Sequence, residues 1–401
     1  MRSILFLADG MADEPLDELG GKTPLEYAHT PNMDFIAKNG ASGLFLSLPE
    51  GFPTSSDVAN MSVLGYDLIH YYPGRGPIEA VSQGIDLKKN DIALRCNLVS
   101  IRDEILTDYS AGHIENKDSE ELMKFIQKEL GSEKATFYSG VSYRNILVLH
   151  GDEFSPNVEC SKPDSCQGSK VSELAYRALD HTPEAANTVR ILTEFVQKSR
   201  KILSEHPLVK QKGLSADSVW PHSPGRKPSL PKFTDMYKGK RGAIISAVDV
   251  IFGLGICAGM DIIKVPGATG FIDTNYAGKA DAAIHALKDH DFIYLHVEAI
   301  DECSHMGRLD LKLKAIEDFD SKIVGPVLEA LKYMEDISYA ILPDHPVPVK
   351  LQKHTRTPVP VAIMGPHIKP DSVQVYSENA AQQGSLGFMK ESELMKTLMN
   401  I

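Results

Sequence analysis

The chain has 401 residues, long enough for two or three domains, and its 42 Lys and Arg against 54 Asp and Glu give a formal charge of −12. That balance argues against nucleic acid or an anionic membrane surface as the main partner, so an anionic substrate must be met by local Arg and Lys or by metal ions. Five cysteines with no CxxC pair predict no disulfide framework and a reducing, cytoplasmic compartment, and no stretch has the apolar length of a signal peptide or membrane helix.

The run Ile4-Leu5-Phe6-Leu7-Ala8 stops at Asp9-Gly10, the pattern of a buried parallel strand with a polar residue at its carboxyl end, where ligands collect in open α/β sheets. Thr30-Pro31 reads as N-cap and first helical residue, with Met33, Phe35, Ile36 and Ala37 giving the apolar face and Gly40 the stop. Leu44-Phe45-Leu46 reads as a strand, and Ser56 then falls where a loop gives way to a short helix. Its hydroxyl and the free backbone N–H groups of that helix start can face one anionic group.

Residues 67–240 read differently, with Gly-Pro turns, strand-like stretches at 93–99 and 143–148, and a helix at 183–203 capped by Thr182. An α+β insertion is expected there, with linkers in the tight 72–77 region and in a loop spanning 221–231. The βα pattern then returns: strands at 243–246, 292–297 and 337–342, helices at 248–260 and 311–334, and a last strand at 359–364 whose Pro360 predicts an edge position. The expected architecture is an α/β doubly wound sheet domain, residues 1–66 and 241–401, interrupted by a smaller α+β domain.

Asp9, Asp301, His305, Asp344, His345 and His354 fall at or beyond these strand ends. Three carboxylates and three imidazoles are the ligand set that two divalent cations sharing one site require, with Mn²⁺, Zn²⁺ or Mg²⁺ suited to it. A serine hydroxyl held to such a cation becomes an effective nucleophile toward phosphorus. Taken singly each residue has a plain reading: Asp9-Gly10 as a turn, Ser56 as an N-cap, His354 as a surface histidine. Their joint placement at strand ends is what favours the metal reading.

The order Asp9, Ser56, Asp301, His305, Asp344, His345, His354 resembles the alkaline phosphatase superfamily. Within it, Leu7-Ala8-Asp9-Gly10-Met11, Ser56-Asp57-Val58-Ala59-Asn60, Gly74-Arg75-Gly76-Pro77, Tyr109-Ser110-Ala111-Gly112-His113, Val265-Pro266-Gly267-Ala268-Thr269-Gly270 and Asp344-His345-Pro346 resemble the cofactor-independent phosphoglycerate mutase family, in its shorter archaeal-type branch. The resemblance spans nearly the whole chain. It implies a 2,3-bisphosphoglycerate-independent isomerase that moves phosphate between the 3- and 2-hydroxyls of glycerate through a phosphoserine. It also implies two divalent ions (Mn²⁺ first, then Zn²⁺, Co²⁺ or Mg²⁺) and a small-molecule phosphoglycerate substrate.

Carried over by position, the resemblance assigns one cation to Asp301, His305 and His354, and the other to Asp9, Ser56, Asp344 and His345, with Ser56 as nucleophile. It makes His113 an acid/base or substrate ligand, and Arg144, Arg226 and Lys227 clamps for phosphate or carboxylate in the inserted domain. Ser55 is a competing hydroxyl; Ser56 is preferred because it directly precedes Asp57-Val58-Ala59-Asn60. The alternative reading is another phosphoryl-transfer enzyme of the superfamily: a phosphomonoesterase, a phosphopentomutase or a phosphonate hydrolase.

Overall fold

A computed structural model describes residues 1–174 and 176–401. The chain forms two compact units, Met1–Tyr72 with Leu230–Ile401, and Pro73–Ser229. Among the described residues no helix is long and apolar enough to cross a membrane.

The first unit is built on eight strands: β1 (Arg2–Ala8), β2 (Ala41–Leu46), β3 (Gly242–Ser246), β4 (Asp261–Lys264), β5 (Phe292–Val297), β6 (Ile337–Leu342), β7 (Val359–Met364) and β8 (Gly387–Lys390). They lie in the order β4-β3-β5-β1-β6-β7-β2-β8. The five strands from β4 to β6 are parallel, β7 runs against both β6 and β2, and β8 is parallel to β2. The central strands β1, β5 and β6 are buried along almost their whole length, as continuous apolar runs covered on both faces require. Because β1, β5 and β6 are adjacent and parallel, their carboxyl ends deliver Asp9, Asp301 and Asp344 to one rim of the sheet.

Three local expectations are corrected. Strand β7 is not an edge, since it pairs with β2 and β6, but its β6 ladder covers only Ala362 to Met364. Pro360 lies before that ladder starts, so its missing N–H costs no bond on that side. The single long helix expected over 311–334 is three pieces: Leu309–Phe319, a π-helical turn Asp320–Val324, and Gly325–Leu331. Pro326 cannot donate to the carbonyl four residues back, so the ladder slips there. Meanwhile Asp320 accepts from the N–H groups of Asn32 and Met33 at 3.0 and 2.7 Å, capping the Pro31–Lys38 helix.

In the second unit, Ile92–Arg102 is the central strand, paired with Arg144–Leu149, with Ser218–Arg226 and, at its end, with Ile105–Asp108. The helices Asn116–Leu130 and Pro183–Glu205 pack apolar faces such as Leu122, Ile126, Leu192 and Phe195 against it. Thr182 caps the second, its hydroxyl accepting from the Ala185 N–H. The loop expected over 221–231 is a strand as far as Arg226. A lateral strand with one partner tolerates Pro221 and Pro224, and the register shift near Ala93 and Arg95 absorbs their irregularity.

Candidate active site

Every strand-end residue singled out in the sequence lies in the first unit. Asp9 follows β1 directly, its N–H donating to Val297 O at 3.0 Å. Asp344 stands two residues beyond β6. Asp301 and His305, four residues apart on the short helix Ala299–His305 after β5, share one face of it. Ser56 opens the helix Ser56–Val63 with Ser55 as N-cap, and His354 lies in the irregular segment between β6 and β7.

Three of these groups converge on a ring nitrogen of a fourth. His345 Nε2 is 3.2 Å from Ser56 Oγ, 3.2 Å from Asp344 Oδ2 and 3.5 Å from Asp9 Oδ1. Beside them, His305 Nε2 lies 2.9 Å from His354 Nε2 and 3.4 Å from Asp301 Oδ2, while His354 Nε2 is 3.6 Å from Asp301 Oδ1. The rings of His345 and His354 stack with centroids 3.8 Å apart, which joins the two groups into one cluster. Ser56, rather than Ser55, is the hydroxyl facing it; Ser55 Oγ is buried without a hydrogen-bond partner among the described residues.

The electrostatics are those of a site short of positive charge. Burial first, then the charges of Asp344 and Asp301, push the Asp9 carboxyl well above its ordinary range. Burial and the charge of Asp301 push Asp344 up to about 7, although it accepts from the Gly10 and His345 N–H groups. For Asp301 burial acts upward too, but the hydrogen bond and charge of His305, with His354 and His345, outweigh it and hold the carboxyl below its ordinary value. Burial opposes protonation of His305, and Asp301 overcomes that, raising the imidazole to about 9. His345 is kept neutral by burial and by its histidine neighbours.

Two triads each bring one atom per residue within 4.8 Å of one another: Asp301, His305 and His354, and Asp9, Asp301 and His345. A third, Glu298, Asp301 and Glu302, consists of oxygen donors alone. Asp9 Oδ1, Asp301 Oδ1 and His345 Nδ1 are buried without hydrogen-bond partners among the described residues. Buried carboxylate oxygens left in that state are costly unless a cation meets them. His305 Nδ1 lies 2.9 Å from the Gln352 carbonyl, so its N–H points there and Nε2 faces the cluster, where a cation would displace its proton. The donor set fits divalent metal ions.

A supporting layer escaped the sequence reading. Asn60 Nδ2 donates to Asp344 Oδ2 and to Ser56 O, both at 2.8 Å, and its Oδ1 accepts from the Tyr294 hydroxyl. Its spacing of four from Ser56 on one helix face was the available signal. His296 Nε2 lies 2.9 Å from Asp9 Oδ2 while its Nδ1 lies 3.0 Å from Ser246 Oγ; burial and nearby Lys279 lower it to about 3, so a neutral ring donates to Asp9. A histidine inside the otherwise apolar β5 run was its signal. Arg356 donates to the carbonyls of Leu48, Pro49 and Phe52, pinning the loop ahead of Ser56, and nothing in its local sequence pointed to that.

The remaining candidates lie in the second unit. His113, with left-handed backbone at φ 53°, meets Tyr109 and Tyr143 edge-on, and the Arg144 guanidinium lies 5.1 Å from the centroid of the Tyr143 ring. Arg75 and Arg95 flank the buried Glu79 at 2.7 and 3.2 Å. Arg226 donates to the carbonyls of Asn90 and Phe154, and Lys227 pairs with Asp86 at 3.3 Å.

An α/β sheet that gathers carboxylates, imidazoles and a serine hydroxyl at one rim defines a class of enzyme suited to metal-assisted group transfer. The family model described as 2,3-bisphosphoglycerate-independent phosphoglycerate mutase matches residues 37–209. A protein of that name from Methanosarcina acetivorans is 43% identical over 407 residues, covering 100% of both chains. Among solved structures, a Pyrococcus horikoshii protein superposes with a TM-score of 0.83 at 29% identity, covering 100% of this chain and 96% of that one. The cofactor-independent phosphoglycerate mutase of Thermoplasma acidophilum gives 0.66 at 30% identity, with 100% and 99% covered. The chain belongs to the 2,3-bisphosphoglycerate-independent phosphoglycerate mutase family.

Proposed function

We propose that this protein interconverts 3-phosphoglycerate and 2-phosphoglycerate in the cytoplasm, a step of glycolysis and gluconeogenesis, with Ser56 as the phosphoryl carrier. The observation that carries the reading is Ser56 Oγ at 3.2 Å from His345 Nε2, at the mouth of the carboxylate–imidazole cluster. Asp301, His305 and His354 would hold one divalent cation, and Asp9, Asp344, His345 and Ser56 the other. When bound, the ions supply neutralisation of the phosphoryl oxygens and acidify the serine hydroxyl; Mn²⁺ is the first candidate, then Zn²⁺, Co²⁺ and Mg²⁺.

The chain's own residues do the rest. Ser56 Oγ forms a bond to phosphorus as the bond to the glycerate oxygen breaks, and the other glycerate hydroxyl later takes the phosphoryl group back. Asn60 holds the Asp344 carboxylate and the Ser56 carbonyl in place, and His296 holds Asp9. The inserted domain, residues 67–240, would bind the glycerate through His113 and Arg144, with Arg226 and Lys227 as further cations. Exclusion of water while phosphate rests on Ser56 is what would separate a mutase from a phosphatase.

The test is conversion of 3-phosphoglycerate to 2-phosphoglycerate by the full chain across Mn²⁺, Zn²⁺, Co²⁺ and Mg²⁺ without bisphosphoglycerate. Turnover that chelation abolishes supports the reading. Release of free phosphate with no 2-phosphoglycerate would instead favour a phosphomonoesterase.

A further inference from the structure

Lys312, on the Leu309–Phe319 helix, and Asp13 have fully enclosed side chains, 0% exposed on both. Neither belongs to the cluster described above. A buried ammonium costs several kcal/mol unless its protons are all met, and here they are. Lys312 Nζ donates to Asp13 Oδ2 at 2.7 Å, to Val347 O at 2.9 Å and to Gly10 O at 3.2 Å. Asp13 Oδ2 also accepts from the Val349 N–H at 3.0 Å, and the Val347 N–H donates to Ala12 O at 3.1 Å.

The positions of these acceptors give the pair its meaning. Gly10 follows Asp9, and Val347 is two residues beyond His345, so one ammonium ties together the two loops that carry Asp9, Asp344 and His345. Gly10 is also closely packed against the cluster. Its N–H donates to Asp344 Oδ1 at 3.2 Å, and a Cβ built on it would lie 2.7 Å from Asp301 Cα. A shift of Gly10 would therefore move the Asp9, Asp301 and Asp344 groups relative to one another. We propose that Lys312 and Asp13 are positioning residues that set the spacing of Asp9, Asp344 and His345 for a divalent cation. The inference rests on the metal reading of the site given above.

A buried pair that only supported folding could be replaced by matched neutral residues with little loss, and this separates the two roles. In Lys312→Met with Asp13→Asn no charge is left unpaired, and an acceptor remains for the Val349 N–H. The metal-stripped full chain is titrated with Mn²⁺ by calorimetry, with circular dichroism and thermal unfolding as folding controls. The expected result is native dichroism with Mn²⁺ affinity at one of two sites weakened about 10–100-fold, as loss of groups supporting metal ligands produces. The Mn²⁺ concentration for half-maximal turnover should rise in step.

Lys314→Met, on the same helix and paired only at the surface with Asp318 at 2.6 Å, should leave both unchanged. A folded double variant whose isotherm superimposes on that of the parent chain overturns the inference and leaves the functional reading standing. A parent chain that takes up no Mn²⁺ overturns both. If the double variant does not fold, Asp13→Asn alone decides, because Lys312 keeps its two carbonyl partners there. A Mn²⁺ affinity weakened by less than tenfold supports the proposal, and an unaltered one overturns it.

Discussion

Asn60→Leu is the most informative change to the supporting layer, because it keeps size while removing every polar contact of a fully buried side chain. The Asp344 carboxylate loses a 2.8 Å hydrogen bond, and the buried Tyr294 hydroxyl loses its acceptor. A bond to a charged group contributes about 1.5–3 kcal/mol, and a stranded buried hydroxyl costs about 1–3 kcal/mol. Together they predict a loss of roughly 3–5 kcal/mol, read as a fall in Tm on the order of 10 °C for a unit of this size.

Asp344 would also be free to turn away from His345, so turnover should fall about 10–100-fold. Thermal unfolding of Asn60→Leu, Tyr294→Phe and the double variant completes the measurement. The double variant should be less destabilised than the sum of the singles, since it strands neither group. Unchanged Tm and full turnover in Asn60→Leu would refute the idea that Asn60 holds the site.

Other consequences follow from the same contacts. Gly10→Ala should cost stability and raise the Mn²⁺ requirement, since its Cβ would meet Asp301 Cα at 2.7 Å and its φ of 65° disfavours a side chain; calorimetric Mn²⁺ titration checks this. In metal-stripped protein, Asp344 at about 7 binds its proton more tightly than in the unfolded chain. Its contribution is therefore fully present below about pH 4 and lost as pH rises through about 7. Thermal unfolding from pH 4.5 to 8 should show that fall, and saturating Mn²⁺ should flatten it; an equal slope with and without metal would count against the cluster as a cation site. Arg356→Leu frees three backbone carbonyls ahead of Ser56 and should lower kcat at least tenfold while leaving Mn²⁺ affinity within a few-fold, as steady-state kinetics and calorimetry would report.

Much of the rim was legible because strand chemistry and metal chemistry leave marks on neighbouring residues. Apolar runs ending in Asp9 or Asp344-His345, and a carboxylate and an imidazole four apart in Asp301 and His305, state both the element and the donor set. Asn60, Tyr294, His296 and Lys312 were not legible as supports, because their partners lie 234 to 302 residues away in sequence for the bonds Tyr294–Asn60, His296–Asp9 and Lys312–Gly10. Pro360 misled because the rule against proline in central strands concerns a particular ladder bond, and the β6 ladder does not reach that residue. The break near Pro326 was a local signal that the apolar spacing of 311–334 masked.

The central claim is that Ser56 carries the phosphoryl group. Peptide mapping by mass spectrometry after brief incubation of the Mn²⁺-loaded chain with 3-phosphoglycerate tests it most directly. Phosphate on the peptide containing Ser56, absent in Ser56→Ala together with all mutase turnover, is the predicted result. Full turnover in Ser56→Ala, or phosphate on Ser55 alone, would contradict it.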